Sequence, residues 1–274
     1  VAQNDRNRLA LGCSGAIEAL FLLAESPDQD IQRNAMWALS NLAWAPDNQG
    51  RIGCFLGQLV RLCRSKWVPV QANALVALAN SLFFHDGNRR RLGHMPGALQ
   101  RLMALVRAAP GAKAQEHALR AIAACAHNDA CSLLLGEAGL AALLVELVEK
   151  AQPAGSPRPE TEGDEAMVTV GGDAAQVGAT LPPALARQVV TAFVNLSVHD
   201  DNKRRILDAG GVEALVRLHG DPDKEVRDTA ATALEILADV PADEDLAKKK
   251  QVSLSLPLYL LRYCLAASAA CPRD

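Results

Sequence analysis

The sequence predicts an all-α protein, built as a solenoid of about five repeats with three helices each. Half of its 274 residues are hydrophobic but only 4% are aromatic, so the core consists mainly of Ala, Leu and Val. Such a composition favours helices that pack closely on other helices. Similar segments recur about every 40 residues, as in helical repeat proteins, and no segment shows the sustained alternation of a strand.

The repeat is clearest around an asparagine near the end of a long apolar helix. Asn41, Asn80 and Asn195 each follow an Ala-Leu or Ala-Phe step, and Ala124 and Ile236 occupy the equivalent positions of the other two units. Successive positions are 39, 44, 71 and 41 residues apart. Three of these distances agree with a repeat of about 40 to 47 residues, and the 71-residue interval indicates an insertion of about thirty residues.

The last complete unit shows how one repeat is divided into helices. Its first helix begins near Asp201 and Asn202, whose side chains can cap a helix start, and ends at the glycines of residues 209–211. A turn at residues 221–223 separates the second helix from a third that runs from about Lys224 to Ala238. The second helix has an apolar side formed by Val212, Leu215, Val216 and Leu218. The third has one formed by Val226, Ala230, Ala233, Leu234 and Leu237.

These units resemble the armadillo repeat family. Residues 210–218, Gly-Gly-Val-Glu-Ala-Leu-Val-Arg-Leu, are similar to its Gly-Gly pair followed by a Leu-Val-x-Leu helix, and residues 35–42 are similar to its third helix. The resemblance covers about residues 4–240 and implies a right-handed α-solenoid. Repeat three departs from the pattern with Pro96-Gly97, repeat two has no Gly-Gly pair, and Ala124 and Ile236 replace the asparagine.

Two segments differ in composition from the repeats. Within the solenoid domain, residues 1–240, the stretch 151–183 is rich in Pro, Gly and acidic residues and predicts a flexible acidic insertion inside the fourth repeat. An acidic recognition motif for a partner is the alternative interpretation of this stretch. Residues 241–274 are expected to form a linker and a C-terminal capping helix over the open end of the stack. A membrane span at 252–270 is less favoured, because Pro257 and Arg262 interrupt it.

Composition also bears on compartment and partner class. The seven Cys show no C-x-x-C pair, which favours a reducing compartment, with the cytoplasm expected and the cytoskeleton or nucleus as further options. A formal net charge of -3 argues against a general nucleic-acid binder. The start is polar and shows no signal peptide, but the chain begins without Met, so a membrane anchor upstream of Val1 stays an open alternative.

No pattern of an enzyme is present: the sequence has no phosphate-binding glycine loop, nucleophile elbow or H-E-x-x-H helix. We therefore expect no enzymatic activity, no cofactor and no metal. His85, His127 and His199 recur where third helices end and are interpreted as C-terminal caps rather than metal ligands. The basic clusters at 89–91 and 203–205 are interpreted as solvated faces of first helices, with a basic rim for an acidic partner as the alternative.

The resemblance implies that third helices line a concave surface. The residue four positions before the repeating asparagine, and the residue a further three or four positions before that, lie on the same face of the helix as the asparagine. The predicted partner-binding residues on this face are Arg33, Asn34, Trp37, Asn41, Asn73, Asn80, His117, Arg120, Arg187, Gln188, Thr191 and Asn195. Their amides can clamp the backbone of an extended peptide, with Trp37 as an aromatic anchor. In the structural alternative, the asparagines bind neighbouring backbone and Trp37 packs against the preceding repeat.

The predicted function is that of a non-enzymatic scaffold or adaptor that binds a protein or extended peptide along this face, with no nucleic acid and no transmembrane span. One alternative is a structural subunit of a large cytoskeletal or axonemal assembly. Another is a receptor for basic peptides, since the pair Trp37 and Asn41 resembles the Trp–Asn pair of importin-α. Such a receptor needs an array of these pairs and an acidic groove, which Arg33, Arg120 and Arg187 oppose.

Overall fold

The computed structural model describes residues 5–108, 112–151 and 181–238, and in these ranges it contains fifteen α-helices and no strand. The helices follow one another as five repeats of three, which confirms the predicted all-α solenoid. Repeat one comprises α1 (Asp5–Cys13), α2 (Ala16–Leu23) and α3 (Gln29–Leu42); repeat two α4 (Pro46–Ile52), α5 (Leu56–Leu62) and α6 (Val68–Phe83); repeat three α7 (Asp86–Gly93), α8 (Ala98–Ala108) and α9 (Ala112–Ala126). Repeat four comprises α10 (Asp129–Glu137), α11 (Leu140–Lys150) and α12 (Pro183–Leu196), and repeat five α13 (Asp200–Asp208), α14 (Gly211–His219) and α15 (Lys224–Ala238).

A left-handed glycine turns the chain from the first helix into the second in four of the five repeats. Gly15, Gly97, Gly139 and Gly210 have φ angles of 81°, 71°, 87° and 82°, a region that favours glycine. In repeat three, where Pro96-Gly97 stands in place of the Gly-Gly pair, Gly97 forms the same left-handed turn. In repeat two a 3₁₀ turn, Gly53–Phe55, makes this connection instead.

Repeat five tests the helix assignments in detail. Helix α15 has the predicted bounds, and all five of its predicted apolar residues are buried. In α14 the prediction for Val216 is wrong: its side chain is 48% exposed, because it lies at the edge of the apolar stripe. Helix α13 begins at Asp200, and Asn202 is buried rather than acting as a cap. The predicted cap at Asp201 and Asn202 is therefore also wrong.

The third helices form the most closely packed row of the stack. Successive members of the series α3, α6, α9, α12 and α15 contact one another far more extensively than the first or second helices of neighbouring repeats do. The third helices are also the longest of each repeat, which adds to this contact. Their close packing agrees with the concave position that the family resemblance implies for them.

Buried asparagines tie the first helices together. Asn88 donates from Nδ2 to the carbonyl oxygen of Gln49 in the preceding repeat at 2.7 Å, and Asn48 and Asn202 form equivalent bonds of 2.9 Å. Each bond satisfies a backbone acceptor at the repeat interface, where an unpaired carbonyl would destabilise the fold. In repeat four Cys131 takes the asparagine's place, and its thiol donates to the carbonyl oxygen of Arg89 at 3.1 Å.

A glycine in the preceding repeat makes room for each of these side chains. A Cβ on Gly53 would stand 1.9 Å from Oδ1 of Asn88, and one on Gly93 would stand 2.5 Å from the sulfur of Cys131. Glycine is thus required here by close approach and not by backbone conformation. The repeats can approach one another this closely only because no side chain is present at these positions.

The interpretation of the basic clusters as solvated faces is wrong for one residue in each cluster. Arg89 and Lys203 are buried, each with 9% exposure. The guanidinium of Arg89 donates to the carbonyl oxygens of Leu82, at 2.8 Å, and of Phe83, the last residues of α6. Because the carbonyl end of a helix carries partial negative charge, this cation stabilises the C-terminus of α6.

The predicted insertion and C-terminal cap fall mainly on residues 152–180 and 239–274, which lie outside the described ranges. The insertion is flanked by Lys150, the end of α11, and Pro183, the start of α12, so it separates the second and third helices of repeat four. In the described part, no helix taken alone has both the length and the apolar composition needed to cross a bilayer. Helices α10 and α11 satisfy that test only as a pair bent by 67°.

Candidate functional site

The predicted partner-binding residues lie on α3, α6, α9 and α12, but they differ in exposure and in available hydrogen-bonding groups. Five are exposed: Arg33, Asn34, Trp37, Arg187 and Thr191. Six are half-buried: Asn41, Asn73, His117, Arg120, Gln188 and Asn195. Asn80 is buried, with 5% exposure.

The repeating asparagines are engaged mainly with backbone. Asn80 donates from Nδ2 to the carbonyl oxygen of Ser40 at 3.0 Å, and Asn195 donates to that of Ala123 at 2.9 Å, each one repeat back. Asn41, in the first repeat, donates within its own helix to Trp37 at 3.0 Å. These bonds support the structural alternative for the asparagines, since their amide donors already hold the stack together. The same alternative does not hold for Trp37, which is 55% exposed.

Two of the arginines on this face are paired with carboxylates. Arg187 contacts Asp223 at 2.7 Å and Glu225 at 3.0 Å, and Arg33 contacts Asp30 at 2.9 Å. The hydrogen bond from Arg187, together with its charge, lowers the pKa of the Asp223 carboxyl. The positive charge of these two arginines is therefore largely compensated within the chain.

Arg120 differs from the other two. It is half-buried on α9 and donates to Oδ1 of Asn80, and among the described residues it forms no ion pair. Burial lowers the pKa of its guanidinium, and the charge of Glu116 one turn earlier opposes that shift. Since arginine stays protonated in proteins, Arg120 is a charged donor whose charge no described carboxylate directly neutralises.

Three exposed aromatic side chains, Trp44, Phe83 and Phe84, line a cavity together with Arg120, and the sequence analysis missed all three. The four exposed aromatics of the described residues are Trp37, Trp44, Phe83 and Phe84, with exposures of 55%, 59%, 55% and 67%. Trp44 and Phe83 each lie three residues after the repeating asparagine, where repeats three and four have His127 and Val198. Trp44 and Phe83 could have been found by applying the helical spacing to the residues after the asparagine as well as to those before it.

Two cavities meet at the aromatic residues. The first, of about 150 Å³, is lined by Trp44, Gln49, Asn80, Phe83, Phe84 and Arg120. The second, of about 450 Å³, shares Phe83, Phe84 and Arg120 and continues past His127 to Gln188, Thr191 and Asn195. We call these two cavities together the aromatic groove. It unites five predicted residues, Asn80, Arg120, Gln188, Thr191 and Asn195, whereas the other seven lie outside it.

The interpretation of the histidines as C-terminal caps is wrong for His85 and His199, whereas His127 directly follows Ala126, the last residue of α9. Helix α6 ends at Phe83 and α12 at Leu196, whereas His85 and His199 immediately precede the next first helices. His85 accepts the backbone N–H of Asn88 at 3.1 Å through Nδ1, so it caps the start of α7. Among the described residues no three His, Cys, Asp or Glu side chains converge as a metal site would require.

Comparisons with known proteins support the armadillo repeat. The family model described as Armadillo/beta-catenin-like repeat matches residues 4–44 and 199–239, and a search of curated proteins finds no match. Among solved structures, a designed armadillo repeat protein is 23% identical, with a TM-score of 0.70, 86% of this chain covered and 89% of that chain. A designed armadillo repeat protein in complex with the peptide (KR)4 is 22% identical, with a TM-score of 0.70 and coverages of 86% and 88%. An engineered protein is 26% identical, with a TM-score of 0.72, covering 94% of this chain and 59% of the other.

Proposed function

The chain is an armadillo-repeat protein, and from that premise we propose that it binds an extended segment of a partner polypeptide along its concave face. In this role it is a scaffold or adaptor and carries out no reaction of its own. The observation that carries the proposal is the position of the exposed aromatics. All four lie on α3 or α6 or just beyond the ends of these helices, on the surface made by the third helices.

Exposed aromatic side chains in a cluster are costly to leave in water and typically mark a surface that another molecule covers. Phe83 and Phe84 contact each other edge to face, with centroids 4.7 Å apart, and Trp44 lines the smaller cavity with them. A side chain of a bound peptide placed between them would be shielded from water on two sides. Anchors of this kind supply most of the affinity at interfaces.

Polar side chains on the third helices are available for the peptide backbone. Gln188 lines the larger cavity and Asn34, outside the groove, is exposed on α3, and within the described residues neither side chain forms a hydrogen bond. A primary amide both donates and accepts, so it can bind an extended backbone in the way a neighbouring strand does. The designed armadillo repeat protein in complex with the peptide (KR)4 shows that a fold of this kind can hold a peptide.

Selection of a displayed library of random linear peptides on the purified chain tests the proposal. We expect linear peptides to be enriched, and we expect their binding to slow amide hydrogen exchange at the C-terminal ends of α6, α9 and α12. A set of peptides that protects only second helices, such as α5 and α8, would contradict the proposal. Failure to enrich any peptide would also count against it.

A further inference from the structure

Arg120 occupies the one place where the two cavities of the aromatic groove meet. Its side chain lines both of them together with Phe83 and Phe84, and it donates to Oδ1 of Asn80. The other two arginines among the predicted partner-binding residues already have carboxylate partners, Asp30 for Arg33 and Asp223 for Arg187. Arg120 has only the neutral amide of Asn80 among the described residues.

The surroundings of Arg120 strengthen its attraction for an anion. Its guanidinium is half-buried in cavities that Phe83 and Phe84 also line, and at such a site the effective dielectric constant is lower than in water, so a charge interaction is stronger than at an open surface. The planar fork of an arginine matches the two oxygens of a carboxylate. Arg89, which also lines the larger cavity, adds positive charge, although its own donors are engaged by the end of α6 and it lies 3.8 Å from Asp86. Glu116, one turn before Arg120, is an acidic group that partly offsets this positive charge.

Building on the function proposed above, we infer that the aromatic groove selects an acidic peptide. An Asp or Glu side chain of the bound segment pairs with Arg120, and an apolar side chain next to it packs between Trp44 and the pair Phe83 and Phe84. Alternate side chains of an extended peptide point to opposite sides, so a residue two positions away faces the groove again, towards Gln188. A basic peptide would place like charge against Arg120 and Arg89 and is disfavoured.

The same library selection, repeated on variants, tests this inference. On the unaltered chain we expect one position of the enriched motif to be Asp or Glu with an apolar residue beside it. Arg120→Gln keeps an amide donor for Asn80 but removes the charge, so the acidic preference should disappear and the best acidic peptide should bind about tenfold more weakly or worse. Arg120→Glu should reverse the preference towards Lys or Arg at that position.

Arg90→Gln is the matched control, since it removes the same charge from an exposed residue of α7 that lies outside the groove. It should leave the motif unchanged, and thermal unfolding should show that every variant compared is folded. If Arg120→Glu does not fold, Arg120→Gln alone carries the test. A motif that is basic, or that stays acidic after Arg120→Gln, overturns the inference while the proposed peptide-binding function survives. An absence of any enriched peptide overturns both.

Discussion

The side-chain amide of Asn80 on α6 donates a hydrogen bond of 3.0 Å to the backbone carbonyl of Ser40 on α3. Asn195 on α12 makes the same bond to Ala123 on α9, at 2.9 Å. Both bonds join equivalent turns of successive third helices. The repeating asparagine is therefore first a tie between repeats, and a peptide on the concave face meets mainly the side chains around it.

Asn80→Ala should lower the free energy of unfolding by about 1–3 kcal/mol, because it leaves the Ser40 carbonyl without its partner in a buried interface. Asn41→Ala is the matched control. Its amide bonds only within its own helix, so the loss should stay below about 0.5 kcal/mol. Urea denaturation of both variants measures the difference. Equal losses for the two would contradict the role of Asn80 as an inter-repeat tie.

Gly53→Ala should destabilise the chain by about 2 kcal/mol, because the new methyl group would overlap Oδ1 of Asn88 and force the first helices apart. Gly57→Ala, four residues later in α5, meets nothing within 4 Å and should be neutral or stabilise by up to about 1 kcal/mol. Thermal and urea unfolding compare the pair. If Gly53→Ala behaves like Gly57→Ala, the repeats do not depend on this close approach.

Arg187→Gln should raise the pKa of the Asp223 carboxyl back towards its ordinary value of 3.8. A carboxyl whose pKa is lowered in the folded state contributes stability above its ordinary pKa, and this contribution is lost as the pH falls through the lowered value. The variant should therefore lose less stability between pH 4 and lower pH than the parent chain does. Carbon-13 titration of Asp223 gives the direct readout, with Arg64→Gln in repeat two as the control. An unchanged titration would mean that the backbone N–H groups of Glu225, at 2.9 Å, and of Val226 keep the pKa low without Arg187.

Cys63 should resist alkylation while the protein is folded, because complete burial raises the pKa of its thiol and keeps reagents out. Cys54 is exposed one turn after Gly50 and should react readily. Mass spectrometry of the labelled peptides, with and without urea, distinguishes them. Labelling of Cys63 at the rate of Cys54 in the absence of urea would show that repeat two opens easily.

The sequence predicted the fold well because the repeat and its helical periodicity are local properties. The bounds of α15 and its five apolar residues follow from spacing alone, as does the turn at Gly210. Val216 was misplaced since a pattern does not show where the edge of a buried stripe lies. His85 and His199 were misassigned because a residue between two helices can belong to either, and for His85 the bond from Asn88 decides it.

The candidate site was predictable only in part. Helical spacing placed Asn80, Arg120 and Asn195 on one face, but whether an amide reaches a ligand or the neighbouring helix depends on the distance between repeats. Trp44 and Phe84 were missed because apolar residues beyond a helix end are usually assigned to the core. Their exposures of 59% and 67% show that neither belongs to the core.

The affinity of a selected peptide for the double variant Trp44→Ala/Phe84→Ala tests the central claim most directly. Both side chains are more than half exposed, so the variant should stay folded with a nearly unchanged melting temperature. We expect it to bind the peptide about thirtyfold more weakly or worse, corresponding to a loss of about 2 kcal/mol or more. The control Leu22→Ala, at a residue 77% exposed on α2, should bind as the parent chain does. A folded double variant that binds the peptide with undiminished affinity would contradict the assignment of the aromatic groove as the binding surface.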